Sequence, residues 1–206
     1  HKERPARTST RVIVKMISPI FVPGAKSFDY LLAMLEERLH LQHSNITRLL
    51  NIGVWETPAA PPAIYYVSEY TPGQTLHERI AQFSERPFSI GEILSYLLQI
   101  ADALSYLHAE NIPFGDLNPK RVLLTEDDLI KLPPFGFVSS SQWLRDASQH
   151  GVATAVDYRY LAPEMIMGNS VSEGERPSDV YLLGLLAFEL ACGTVPFDAN
   201  RETIIQ

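Results

Sequence analysis

Cysteine is almost absent from the 206 residues. The one present, Cys192, lies in an apolar run, can form no internal disulfide, and reads as a small buried hydrophobe suited to a reducing compartment. Long hydrophobic runs are missing too. The longest, 180–192, is broken by Gly184 and Glu189 and falls short of the ~20 residues that a bilayer-spanning helix needs. The opening HKERPARTST has no apolar core, so it does not read as a signal peptide; a targeting or membrane segment upstream of it is left open. Positive charge is scarce: 17 Lys and Arg against 24 Asp and Glu give a formal net charge of −7. Binding to a phosphate backbone or an anionic membrane surface needs concentrated basic residues, so the charge argues against both as partners of this segment, and the short apolar runs argue against membrane insertion within it. Glycine does not occur in residues 1–10, and there are no internal repeats or low-complexity tracts.

What is present is an ordinary globular composition, 46% hydrophobic and 20% charged, in a length that makes one domain or a compact pair of lobes. The branched run RVIVKMI, 11–17, predicts a strand. Phe28, Leu31, Leu32, Leu35 and Leu39 recur on one helical face, predicting a helix over 27–42. Two strands, 49–55 and 63–70, follow, joined by a proline-rich loop TPAAPPA. The clearest helix spans 88–110: Ser89 and Glu92 form a capping box, Phe88 and Ile93 a staple, and Leu94, Leu97, Leu98, Ala101, Leu104 and Leu107 keep the period of a core helix. His108 near its end reads as a surface residue complementing the helix dipole. After a loop–strand–turn–strand–loop pattern over 111–138, the segment 139–159 is polar and without period. A final helix stops at Gly193, before Pro196.

The segment 111–138, NIPFGDLNPKRVLLTEDDLIKLPPFGFV, resembles the catalytic segment of protein kinases. There a His-Arg-Asp-Leu-Lys-Pro-x-Asn-Val-Leu-Leu sequence runs into Asp-Phe-Gly. Asp116, Leu117, Pro119, Val122, Leu123 and Leu124 match the first motif, Phe135 and Gly136 the second. Asp116 to Pro134 is 134 − 116 = 18 residues, the separation between the family's two aspartates. The resemblance extends along the chain. Val-Ile-Val-Lys ends at Lys15, where the family keeps its phosphate-contacting lysine. Ser68, Glu69 and Tyr70, before Pro72-Gly73, look like the gatekeeper and the adenine-binding hinge. Ala162-Pro163-Glu164 ends the activation segment, and Asp179 opens the central helix and anchors the catalytic loop. The implied fold is α+β and bilobal, with a small β-rich lobe at 1–70 that lacks a Gly-rich loop and a hinge and mainly helical large lobe at 71–206. The family's helix glutamate, partner of Lys15, falls at Met34; Glu36 and Glu37 lie nearby on another face.

The departures are chemically selective. Phe114 and Gly115 replace His-Arg, Asn118 the lysine, Arg121 the asparagine, and Pro134 the second aspartate. The last two positions hold magnesium in the family, and neither residue offers it an oxygen, so no magnesium site is expected. Losing one electrostatic stabiliser costs ~10²–10³ in rate, and two cost at least that. Asp116 keeps the position of the catalytic base. Lys120 stands where tyrosine kinases carry an arginine, so Lys120 and Arg121 are candidates for direct phosphate contact and metal-independent ATP binding; Leu123 completes the implied nucleotide-binding set. Gly115 removes the docking arginine for a phosphorylated Ser139, Ser140, Thr154 or Tyr158, and Phe114 and Phe135 match a regulatory spine. The first expectation is a cytoplasmic, catalytically impaired pseudokinase acting on other proteins as an interaction or allosteric module. The alternative is an atypical active kinase, transferring the ATP phosphate to Ser, Thr or Tyr. A degenerate fragment, unstable alone, is the third.

Overall fold

The computed structural model describes residues 11–17, 25–134, 157–166 and 176–197. The branched run forms β1, Val12–Ile17. It pairs antiparallel with β3, Ala60–Glu69, which pairs on its other edge with β2, Leu49–Thr57, giving the order β1-β3-β2. The expected proline-rich loop is much shorter than the sequence implied. Pro61 and Pro62 lie within β3, and only Pro58 and Ala59 separate the strands. Proline cannot donate to a ladder, and a register shift between Trp55 and Thr57 accommodates the two missing donors.

Helix α1, Ala25–Glu36, covers the inner face of this sheet and ends six residues before the predicted boundary. The chain tightens into 3₁₀-like bonds, Arg38 N to Leu35 O and Leu39 N to Glu36 O, and the buried Arg38 donates from Nη1 to Met34 O at 2.7 Å. These bonds satisfy the helix's terminal carbonyls, and Leu39 is left exposed. Ile17, Leu35, Leu49, Ile64 and Tyr66 form the small-lobe core, with Phe28, Leu31, Leu32 and Met34 against it.

Below the hinge, β4 (Gln74–Thr75), β5 (Leu123–Leu124) and β6 (Ile130–Lys131) form a second antiparallel sheet in that order. Gly73, at φ 147°, enters it so closely that a Cβ would drive into the Leu124 carbonyl. The short helix α2, Leu76–Ile80, follows with its own capping box between Thr75 and Glu78. The long helix α3 is Ile90–Ala109, capped by Ser89 and Glu92 as the sequence indicates. It buries Tyr96, Ile100, Ala103, Leu104 and Leu107. Leu94 and Leu98, expected in the core, are 55% and 69% exposed, because apolar residues cover nearly two faces of this helix and only one of them packs.

A one-turn helix α4, Pro163–Ile166, precedes α5, Arg176–Cys192. Helix α5 packs against α3 through Leu182, Leu185, Leu186 and Leu190 and ends at Gly193, φ 75°, as predicted. Cys192 is exposed rather than buried, since it falls on the last turn of that helix and outside its packed face. Among the described residues, no helix is long and apolar enough to cross a membrane.

Two core tyrosines carry a pH prediction. Tyr96 donates to Asp128 Oδ1 at 2.9 Å, and burial followed by that carboxylate pushes its pKa up to about 12; burial does the same to Tyr66. Their ordinary value is 10.0, so the contribution is fully present below that pH and is lost as pH rises towards about 12. Urea midpoints should fall across this alkaline window, and Tyr96→Phe should flatten the fall. An unchanged slope in that variant would refute the assignment.

Candidate nucleotide site

The catalytic-loop match is held from below by Asp179. This fully buried carboxylate accepts from Phe114 N at 2.8 Å and Gly115 N at 2.7 Å, and His108 Nε2 lies 2.7 Å away. His108 is therefore a partly buried partner of the anchor, not the surface residue expected from its place near a helix end. Gly115 has φ 74°, a conformation that costs a side-chain-bearing residue ~1–2 kcal/mol, so glycine relieves strain immediately before Asp116. Phe114, 2% exposed, joins the large-lobe core.

Asp116 is 8% exposed and both of its carboxylate oxygens are engaged. Arg121 Nη2 pairs with Oδ2 at 2.8 Å, and Asn118 Nδ2 donates to Oδ1 at 2.8 Å. Asn118 Oδ1 in turn accepts from Lys120 N. The other loop cation, Lys120, has Nζ 4.0 Å from Asp157, whose carboxyl is held below its usual range mainly by hydrogen bonds from Arg159. Both loop cations thus already face carboxylates.

Above the loop, Lys15 and Tyr66 are opposite each other in the β1–β3 register, and the charge of Arg121 reaches both. Burial first, and Arg121 second, lower the pKa of Lys15. Among the described residues Lys15 has no carboxylate partner: Glu36 and Glu37 are exposed, and Met34 packs into the small-lobe core. The predicted hinge runs from the buried Ser68 through Glu69 to Tyr70, which stacks under the Arg11 guanidinium at 4.5 Å. Glu69 Oε1 is bound by Lys131 Nζ at 3.1 Å, and Lys131 pairs with Leu123 in the β5–β6 register. Arg121 and Asp116 therefore form an ion pair whose guanidinium also acts electrostatically on Lys15, and Ser68, Glu69, Tyr70 and Leu123 form a second group along the junction of the lobes.

That junction is stitched elsewhere too. Leu132 bridges Ile46 in parallel, with Thr47 N donating to Leu132 O at 2.7 Å and Leu132 N to Asn45 O at 2.8 Å. Asn45 Nδ2 reaches Ile130 O and Gln99 Oε1, and Ile130 N donates to the same Gln99 oxygen. These bonds fix the strand that leads to Pro134, itself buried.

The residues present do not fit magnesium. Positions 121 and 134 supply a guanidinium and a ring, neither with a side-chain oxygen, and the nearby Asp116 carboxylate already has a cation on it. Phe135, Gly136, Ser139, Ser140, Thr154 and residues 1–10 lie outside the described residues, as does the side chain of Tyr158. Glu164 accepts from Ser178 Oγ at 2.5 Å. Sequence reasoning missed Tyr66, Lys131 and Asp157. Strand register alone could have flagged Tyr66; nothing local marks the other two.

The protein kinase domain family matches residues 7–206. Aurora/IPL1-related protein kinase 2 of Caenorhabditis briggsae is 31% identical over 168 residues, covering 82% of this chain and 51% of the relative. A probable serine/threonine-protein kinase of Clostridium acetobutylicum is 31% identical over 165 residues, 80% of this chain and 23% of its own length. The maternal embryonic leucine zipper kinase of Xenopus laevis is 30% identical over 166 residues, 81% and 24%. The chain thus spans about half or less of the length of these relatives. With a sheet-bearing small lobe, a helical large lobe and an Asp179-anchored loop between them, the chain belongs to the protein kinase family.

Proposed function

We propose that this protein kinase domain is catalytically impaired and works inside the cell as a protein-interaction or allosteric signalling module. The observation that carries the reading is the 2.8 Å ion pair between Arg121 and Asp116. Phosphoryl transfer is positioning plus electrostatic stabilisation, with metal ions neutralising the developing charge and an aspartate receiving the substrate's proton. Here one residue both occupies a metal-ligand position and occupies the aspartate. Pro134 removes the other ligand position. ATP, the nucleotide of the family, is taken without magnesium in this reading, and the domain's partners are other proteins.

A second reading has one specific support: Asp116 is retained and its loop is anchored by Asp179. In that reading the chain is an atypical kinase transferring the ATP γ-phosphate to Ser, Thr or Tyr of proteins, as the serine/threonine kinase names of its relatives invite. One experiment separates them. Thermal melts with ATP, with and without magnesium, are run beside phosphate incorporation into a generic protein substrate. The impaired domain should incorporate none above an Asp116→Asn control. Magnesium-dependent stabilisation with incorporation abolished by Asp116→Asn would sink the proposal.

A further inference from the structure

Arg121 and Lys15 are two cations within each other's field, and the carboxylate at hand, Asp116, is held by Arg121. We propose that Arg121 is a phosphate receptor latched by Asp116. A nucleotide polyphosphate displaces the carboxylate from the guanidinium and bridges Arg121 and Lys15, and magnesium opposes that binding. The proposal rests on the metal-free reading of the site given above.

The chemistry is an exchange of like for like. A guanidinium presents its donors in a planar fork that matches carboxylate and phosphate equally well, so the phosphate replaces Asp116 without loss of geometry. It also brings more negative charge than the carboxylate it displaces. Lys15, opposite Tyr66 in the β1–β3 register, lies in the field of Arg121, and an anion shared between the two cations offsets their repulsion. Asp116 keeps a partner after the exchange, since Asn118 Nδ2 still donates to it. The two side chains are only partly exposed, 29% for Arg121 and 10% for Asp116, so the field there is not fully screened by water. Magnesium acts in the opposite sense. On the phosphate chain it cancels the negative charge that the two cations recognise, and neither Arg121 nor Pro134 offers it an oxygen.

The test uses calorimetric titration and thermal melts of the whole chain with ATP, tripolyphosphate and adenosine, in chelator and then in excess magnesium chloride. ATP and tripolyphosphate should bind in chelator and adenosine should not; the reverse order overturns the proposal. Magnesium should weaken ATP binding about three- to tenfold, and strengthening overturns it. Arg121→Ala and Lys15→Ala should abolish binding, with Arg121→Lys keeping part of it, while ligand-free melts report whether each variant is folded. The sharpest arm is Asp116→Ala. Removing the latch should tighten ATP binding about three- to tenfold, whereas weaker binding overturns the latch. Phosphate incorporation on the same samples keeps the two readings apart. Failure to bind any polyphosphate defeats this inference and the metal-free uptake of ATP on which it rests, leaving the loss of catalysis standing, whereas magnesium-dependent incorporation defeats the proposed loss of catalysis.

Discussion

Arg121→Asn combined with Pro134→Asp is expected to give a protein whose stabilisation by ATP requires magnesium and whose phosphate incorporation rises by roughly 10²–10³. The double change does three things at once. It returns an amide oxygen at 121 and a carboxylate at 134, the positions at which the family holds its metal ions. It also removes the guanidinium from Asp116, whose Oδ2 is otherwise paired at 2.8 Å. The scaffold beneath needs no repair, because Asp179 already bonds the amides of Phe114 and Gly115. Asn118 still stands in place of the family's lysine, so the rate gained remains below that of a kinase with all four groups. Each single variant should recover little, since one ligand without the other leaves the metal poorly held. Adding Asp116→Asn to the double variant should abolish the gain. Incorporation by the double variant no higher than the parent's, with the fold intact by circular dichroism, would mean that these two positions do not limit the chemistry.

The largest loss of stability from a single change is expected at Asp179. Its carboxylate is fully buried and meets two backbone N–H groups and His108. Asp179→Ala leaves both amides buried without acceptors and strips the imidazole of its partner. The cost of about 3–5 kcal/mol follows from breaking a buried charged network by removing one member. For a chain of this size that lowers the melting temperature by roughly 10 °C. Asp179→Asn, which keeps one acceptor oxygen, should cost less. His108→Ala should cost less still, because the two amides keep their carboxylate. A loss under about 1 kcal/mol in Asp179→Ala would mean that the loop is held by its neighbours rather than by this anchor.

These outcomes bear on how much could be read from sequence. The residues that carry a backbone task were legible. The Ser89–Glu92 capping box and the Gly193 stop each leave a local signature, because the residue type and its spacing are what the task demands, and the Asp179 anchor is legible through the family resemblance. The resemblance to the family also marks Arg121 and Pro134 as standing where metal ligands are expected, an expectation that the double variant above tests. Pairings between distant side chains were not legible. Glu69 with Lys131 and Lys120 with Asp157 are separated by tens of residues, and charged residues on loops have no periodicity that fixes their partners. The errors have the same origin. Pro61 and Pro62 suggest a loop because proline breaks ladders, yet a register shift absorbs them. Leu94 and Leu98 were read as core because hydrophobicity marks what could be buried, while packing decides what is.

The position of Arg121 has a further consequence. A magnesium ion belongs to a shared pool, and a site that depends on one responds to every change in that pool, to competing chelators and to the ion's own exchange rate. The Arg121 guanidinium is synthesised with the chain and is present once in every molecule. Any ligand that the cleft takes through Arg121 therefore meets a cation that cannot dissociate.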